Sequence, residues 1–209
     1  MSNDVRTGEH PTIATTPPDR WWAMGDYAPI AEQVMASLGP ILVAAAGIGP
    51  GDRVLDVAAG SGNVSIPAAK VGAAVVSSEL TRELLQRSLI RAAERRVTLE
   101  WREANAERLP FADGEFDAVL SAIGVMFAPH HLHAADELVR VCRPGGTIGV
   151  ISWTPEGFFG QLLAAIRPYR PTVVPGMPPA ALWGRNDYAA TYDQRCNGLG
   201  IRGSRARKR

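Results

Sequence analysis

Three side-chain types recur at intervals that suit nucleotide chemistry. In VLDVAAGSGN, residues 54–63, the acid Asp56 is followed by Ala58, Gly60 and Gly62. An apolar run that ends in a glycine turn and continues into a helix brings backbone N–H groups close to a ligand. Glu79 closes the next apolar run, 23 positions after Asp56. A carboxylate there can accept hydrogen bonds from both hydroxyls of a ribose. The dinucleotide fingerprint Gly-x-Gly-x-x-Gly is not completed in either register. Counted from Gly60 its third glycine is Ser65; counted from Ala58 its first is alanine and its third is Asn63. Asp56 at a strand end would also repel a pyrophosphate, whereas a cationic ligand tolerates it. A sulfonium carrying an amino-acid tail fits these constraints.

A second cluster is Pro129-His130-His131-Leu132-His133, which holds three of the four histidines. Zinc takes ligands from separated segments with carboxylate or thiolate partners. The sequence names no such partner, so no metal site is expected. His131, past the fourth apolar strand on the side where substrate enters, is a candidate general base. Gly124, Val125, Met126 and Phe127 read as core or as the wall of an apolar pocket. Cys142 and Cys196 offer neither a disulfide framework nor metal spacing, which fits a reduced, cytoplasmic protein.

The elements that must position these residues alternate. A helical pattern from Trp21 to about Ala46 precedes the turn Gly49-Pro50-Gly51-Asp52. Then RVLDVAA, AAVVSSE, VTLEWRE, FDAVLSAIG and GTIGVISW read as five strands. NVSIPAAKVG, TRELLQRSLIRAAERR (with Thr81 able to cap it) and HAADELVRVC read as the helices between them. Arg143-Pro144-Gly145-Gly146 is a stop-and-turn signal before the fifth strand. Alternation with short links predicts an α/β fold: a mostly parallel, Rossmann-like sheet with helices on both faces. In such a sheet ligands sit beyond the carboxyl ends of the strands, where Asp56, Gly60, Gly62 and Glu79 fall. GFFGQLLAAIRP reads as one more helix, and no strand is expected after Trp153.

Bulk properties set the outer limits. The chain has 209 residues and a net charge of +1, enough for one domain with a single sizeable core. The last nine residues, IRGSRARKR, hold five basic groups, leaving 17 basic against 21 acidic residues elsewhere. That balance speaks against a nucleic-acid partner. No apolar run reaches the length of a membrane span. The organisation expected is a disordered segment over residues 1–20, a domain over 21–190 and an irregular basic tail over 191–209.

VLDVAAGSGN resembles motif I of the class I S-adenosylmethionine-dependent methyltransferases. The likeness continues along the chain. ANAERLPFADGEFDAVLS (104–121) resembles a segment of the ubiquinone/menaquinone-methyltransferase-like branch, and ELVRVCRPGGTIGVISW (137–153) resembles its helix, Pro-Gly-Gly turn and fifth strand. The resemblance implies S-adenosylmethionine as cofactor and a small-molecule methyl acceptor: quinone-like, lipid or another metabolite. It implies that Asp56, Ala58 and the Gly60–Gly62 backbone hold the amino-acid end. Glu79 would bind the ribose, with Leu80 beside the adenine and Asn105 and Ala106 reading its edge. Ser121 and Ala122 would line the pocket near the methyl group, and Trp22, Gly25, Asp26 and Tyr27 would form a lid. Two departures stand out. Ala104-Asn105 replaces the family's Gly-Asp, and the family's last two strands have no candidate here. The final DQRCNGLGIRGSRARKR reads as out-of-frame or truncated sequence. Rival readings are a cofactor-binding remnant without catalysis, a nicotinamide-dependent oxidoreductase, and a nucleic-acid methyltransferase guided by the tail.

Overall fold

The computed structural model describes residues 22, 33–169, 176–185, 187–188 and 200–201. The sequence-based expectations for residues 1–20, for Gly25, Asp26 and Tyr27, and for most of 191–209 lie outside the described residues. Helix α1 spans Leu38–Ala46, followed by β1 (Arg53–Val57), α2 (Ser65–Lys70), β2 (Ala74–Glu79), α3 (Arg82–Glu94) and β3 (Glu100–Glu103). Then come β4 (Phe116–Ala122), α4 (His131–Val141), β5 (Cys142–Ile151), α5 (Phe158–Ile166) and β6 (Gly200–Ile201). The spatial order is β3-β2-β1-β4-β5-β6, and every pairing is parallel. The order reverses between β1 and β4, so the ligand crevice of an open α/β sheet belongs above that seam.

The central strands are near-continuous apolar runs because the sheet is covered on both faces. Leu55, Val57 and Val119 point to one face, where Ala134, Leu138 and Val141 of α4 and Trp183 cover them. Val54, Ala118 and Leu120 point to the other, under Leu42 and Val43 of α1, Ile66 and Ala68 of α2 and Ala92 of α3. At about 1.5–3 kcal/mol for each fully buried large apolar side chain, these two layers hold the strand ends in place. Prolines fall where helices accept them. Pro40 and Pro67 both sit in a first turn, where a backbone N–H has no partner to lose.

Of the helical pattern expected from Trp21 to about Ala46, Leu38–Ala46 is helix and residues 34–37 are turns and a bend, while residues 21 and 23–32 lie outside the described residues. Two predicted features change. The Pro-Gly-Gly turn does not separate α4 from β5. Phe116 pairs with Cys142 and Ala118 with Thr147, so residues 143–146 bulge out opposite Asp117 alone. Arg143 Nε donates to Asp117 Oδ1 at 2.6 Å across that bulge. A Cβ on Gly146 would stand 2.7 Å from the Asp117 carbonyl oxygen, so the close approach requires glycine. Finally, a strand does follow the fifth: Gly200 and Ile201 pair with Thr147 and Ile148. A two-residue pairing through the backbone leaves no periodicity to read, which is why the sequence concealed it.

Candidate active site

The carboxyl ends of β1, β2 and β4 open onto one cleft of about 800 Å³, part of it open to solvent. Its floor is the turn from Ala58 to Ser61, one side carries Glu79, and the opposite side is Ala122, Ile123 and Gly124. Trp22, Met35, Leu38 and Phe127 close it with apolar surface. Trp22 and Phe127 meet edge to face at 4.7 Å. Both strand ends leave through left-handed backbone: Ala58 at φ 53° after β1 and Ile123 at φ 69° after β4. Non-glycine residues there are strained by about 1–3 kcal/mol each, a feature that gathers at functional sites. The two bends touch: a Cβ on Gly124 would lie 2.3 Å from the Ala58 carbonyl oxygen.

Glu79 organises the turn. It is 6% exposed, and its Oε2 accepts from the Gly60 N–H at 2.9 Å while Oε1 accepts from the Thr81 N–H at 2.9 Å. Burial pushes its carboxyl pKa up, and these N–H donors pull it back. Thr81 stands at the N-cap of α3, but its hydroxyl makes no cap bond and serves Glu79 instead. The Leu80 N–H also donates to this carboxylate, and of its donors the Thr81 hydroxyl is the one that can rotate away and free a lone pair for a ligand. Gly60 at φ +55° has nothing within 4 Å of its missing Cβ, whereas a Cβ on Gly62 at φ +85° would stand 2.4 Å from Ser88 Oγ. The first glycine opens the turn; the second lets it pack on α3.

Several predicted site residues are corrected. Asp56 is 1% exposed and does not line the cleft. Its Oδ2 accepts from the Ser65 N–H at 2.8 Å and the Ser65 hydroxyl at 2.5 Å, which ties β1 to the start of α2. Its Oδ1 is buried without a partner, and burial pushes its pKa up to about 7, against the Ser65 bonds. Ser65 therefore fills the third-glycine position as the partner of Asp56. Ser121 is fully buried, donates to the Val57 carbonyl at 2.7 Å and accepts from the Val125 N–H at 3.1 Å. Its neighbour Ala122 faces the cleft, because adjacent strand residues point to opposite faces.

His131 is 2% exposed and outside the cleft. Its Nε2 lies 3.2 Å from the Met126 carbonyl, which can only accept, so Nε2 carries the proton. Nδ1 then accepts from the Tyr188 hydroxyl at 3.0 Å. With both ring nitrogens engaged and the pKa lowered by burial, it is a core histidine, and the general-base expectation fails. Leu80 is 40% exposed and, like Asn105 and Ala106, stands outside the walls of the cleft. Asn105 Oδ1 accepts from the Glu107 N–H at 2.9 Å, forming a turn just past β3.

Two positioning groups escaped the sequence reading. Arg91 of α3 donates to Ser61 O at 2.7 Å, Ser61 Oγ at 2.8 Å and Asn63 Oδ1 at 3.2 Å, clamping the glycine turn from outside. A helix-face arginine carries no sequence signal for that role. Arg140 pairs with Glu137 through Nε and Nη2, one edge of its guanidinium, and donates to the Phe111 and Leu109 carbonyls and to Asp113. It fixes the loop that ANAERLPFADGEF forms between β3 and β4.

This seam, its glycine turn and its terminal carboxylate define the class I methyltransferase architecture. Residues 55–150 match the family described as "Methyltransferase domain", and the sheet has the Rossmann-like fold of the class I methyltransferases. The chain is 69% identical over 188 residues to an uncharacterised protein of Mycobacterium tuberculosis, covering 90% of this chain and 68% of that one. It is also 39% identical over 111 residues to a demethylmenaquinone methyltransferase of a Mycobacterium species, covering 53% of this chain and 46% of that one. A solved structure from Bacillus halodurans, of a protein assigned to the methyltransferases, superposes with a TM-score of 0.64 at 23% identity, over 77% of this chain and 68% of that one. Among the described residues no helix is long and apolar enough to cross a membrane.

Proposed function

We propose that this chain transfers a methyl group from S-adenosylmethionine to a small, largely apolar acceptor. The observation that carries the reading is the Glu79 carboxylate, placed at the end of β2 and, among the described residues, the one charged group in a cleft lined otherwise by main chain, apolar side chains, Ser61 and Asn63. The residues present fit the cofactor. Glu79 would accept from the ribose hydroxyls, and the turn from Ala58 to Ser61 would hold the amino-acid end, with open space at Gly60 for close approach. Leu80, Asn105 and Ala106, outside the cleft walls, would border the adenine. The cofactor supplies a methyl group already activated by its sulfonium. The protein's part is alignment and exclusion of water. Trp22, Met35, Leu38, Ile123 and Phe127 supply the dry wall, and their aromatic faces suit a flat ring. The relationship to a demethylmenaquinone methyltransferase supports a quinone-like ring as the acceptor class.

Calorimetric titration with S-adenosylhomocysteine, with NADH as control, tests the proposal. We expect binding of the homocysteine compound alone. A folded, monodisperse protein that binds NADH, or neither compound, would overturn it.

A further inference from the structure

The structure gathers a donor set outside the cleft that the sequence kept apart. Glu107 lies in the loop after β3, 23 positions before His130. His130 is the N-cap of α4 and His133 lies in its first turn, so both rings leave the same side of the helix start. Glu107 holds that start: its Oε1 accepts from the His130 backbone N–H at 2.6 Å. Its Oε2 lies 3.1 Å from His130 Nδ1. The two imidazoles face each other at 5.3 Å between centroids, tilted by 30°. One donor atom from each of the three residues lies within 4.8 Å of the others. The Glu107 side chain is largely covered, at 14% exposure, while both histidines are exposed.

We infer that Glu107, His130 and His133 form a binding site for one divalent transition-metal ion of the zinc class. Two imidazoles and a carboxylate are the protein ligands of a zinc site that keeps its fourth position open. Imidazole nitrogen selects zinc, cobalt, nickel and copper over magnesium and calcium, which take all-oxygen sets. At metal–ligand distances of about 2.1 Å, two ligands of one ion lie no more than about 4.2 Å apart. The exposed rings close the remaining gap by a small side-chain rotation. The backbone bond from His130 to Glu107 fixes the carboxylate, as an outer partner of a metal ligand does. The ion would join the loop after β3 to the start of α4, at the carboxyl edge of the sheet. Its open position would take water or an oxygen anion. None of the three residues lines the cleft, so the inference does not depend on the methyl-transfer reading.

The test uses the full chain without an affinity tag, stripped with EDTA and desalted. Cobalt(II) is titrated as the probe and followed by its visible absorption, with zinc then added in competition. We expect one equivalent of cobalt, displaced by zinc, and a melting temperature that rises when zinc is added. His133→Ala and Glu107→Gln should each weaken cobalt binding by at least about tenfold. His10→Ala and Cys196→Ser, which remove a histidine and a cysteine far from the cluster in sequence, should leave it unchanged. His133 is exposed, so its variant should melt like the parent in EDTA; should it not, Glu107→Gln and His130→Asn decide the matter. Absence of binding at millimolar cobalt, binding undiminished in the Glu107 and His133 variants, or binding lost in the Cys196 variant would each overturn the site.

Discussion

Asp56→Asn separates the electrostatics of the buried carboxyl from its role as an acceptor. In the folded chain this group titrates near about 7, against an ordinary value of 3.8, because burial opposes its charge more than the Ser65 bonds favour it. The difference is about three pH units, and at about 1.36 kcal/mol per unit the linked energy is about 4 kcal/mol. Between pH 4 and pH 7 the folded chain keeps a proton that the unfolded chain has released. The parent therefore loses stability as pH rises through that window and levels off above it. Asparagine does not titrate. Its oxygen can keep both Ser65 bonds, while its amide group stands where Oδ1 now lacks a partner, at about 1–3 kcal/mol. The protonated parent leaves an O–H unpartnered at the same place, so at pH 4 the variant should be the less stable by no more than about 1–3 kcal/mol. It should gain on the parent by up to about 4 kcal/mol by pH 8, reaching or passing it. Glu79 titrates in both proteins and largely cancels. Urea unfolding followed by tryptophan fluorescence at several pH values measures the difference directly. A difference that stays constant within about 1 kcal/mol from pH 4 to pH 8 would refute the reasoning.

Four further outcomes follow from the geometry. Glu79→Ala should weaken S-adenosylhomocysteine binding by at least about tenfold in calorimetry, since a carboxylate accepting from hydroxyls is worth about 1.5–3 kcal/mol. Gly62→Ala should lower stability in urea by about 2–3 kcal/mol, from left-handed strain plus the clash with Ser88. Gly60→Ala, strained but free of clashes, should lower it by about 1–2 kcal/mol while filling ligand space and weakening that same binding. His131→Ala should melt at a lower temperature, with a loss of about 3 kcal/mol, and bind S-adenosylhomocysteine within about twofold of the parent. A large loss of affinity in that folded variant would restore His131 to the cleft.

Much of the fold was legible because each strand ends in a recognisable turn. The Asp56, Glu79 and Ser121 positions all fall at carboxyl strand ends, and a parallel sheet puts ligands there. Which of those residues faces the cleft was not legible. Both faces of the sheet are buried, so Ser121 and Ala122 sit in equally apolar runs and the hydrophobic pattern does not tell them apart. Asp56 was misread for a related reason. Its partner, Ser65, lies nine positions on, and only the bend of the turn shows that the carboxylate points back to the helix. His131 drew attention through its neighbours His130 and His133, but on a helix the middle residue of such a cluster turns inward. The loop of Glu107 reaches the other two through folding alone.

The two left-handed bends at Ala58 and Ile123 have a consequence for how such a protein changes over time. On the Ala58 side the floor is mostly peptide backbone, which substitution leaves in place so long as the bend persists. On the Ile123 side the pocket is shaped by the outlines of side chains, and each can be exchanged without disturbing the floor. The chain thereby separates what it must keep from what it is free to vary. If the proposed reading holds, acceptor preference can drift, or be redesigned by library methods at Met35, Leu38, Ile123 and Phe127, while the cofactor grip is inherited intact.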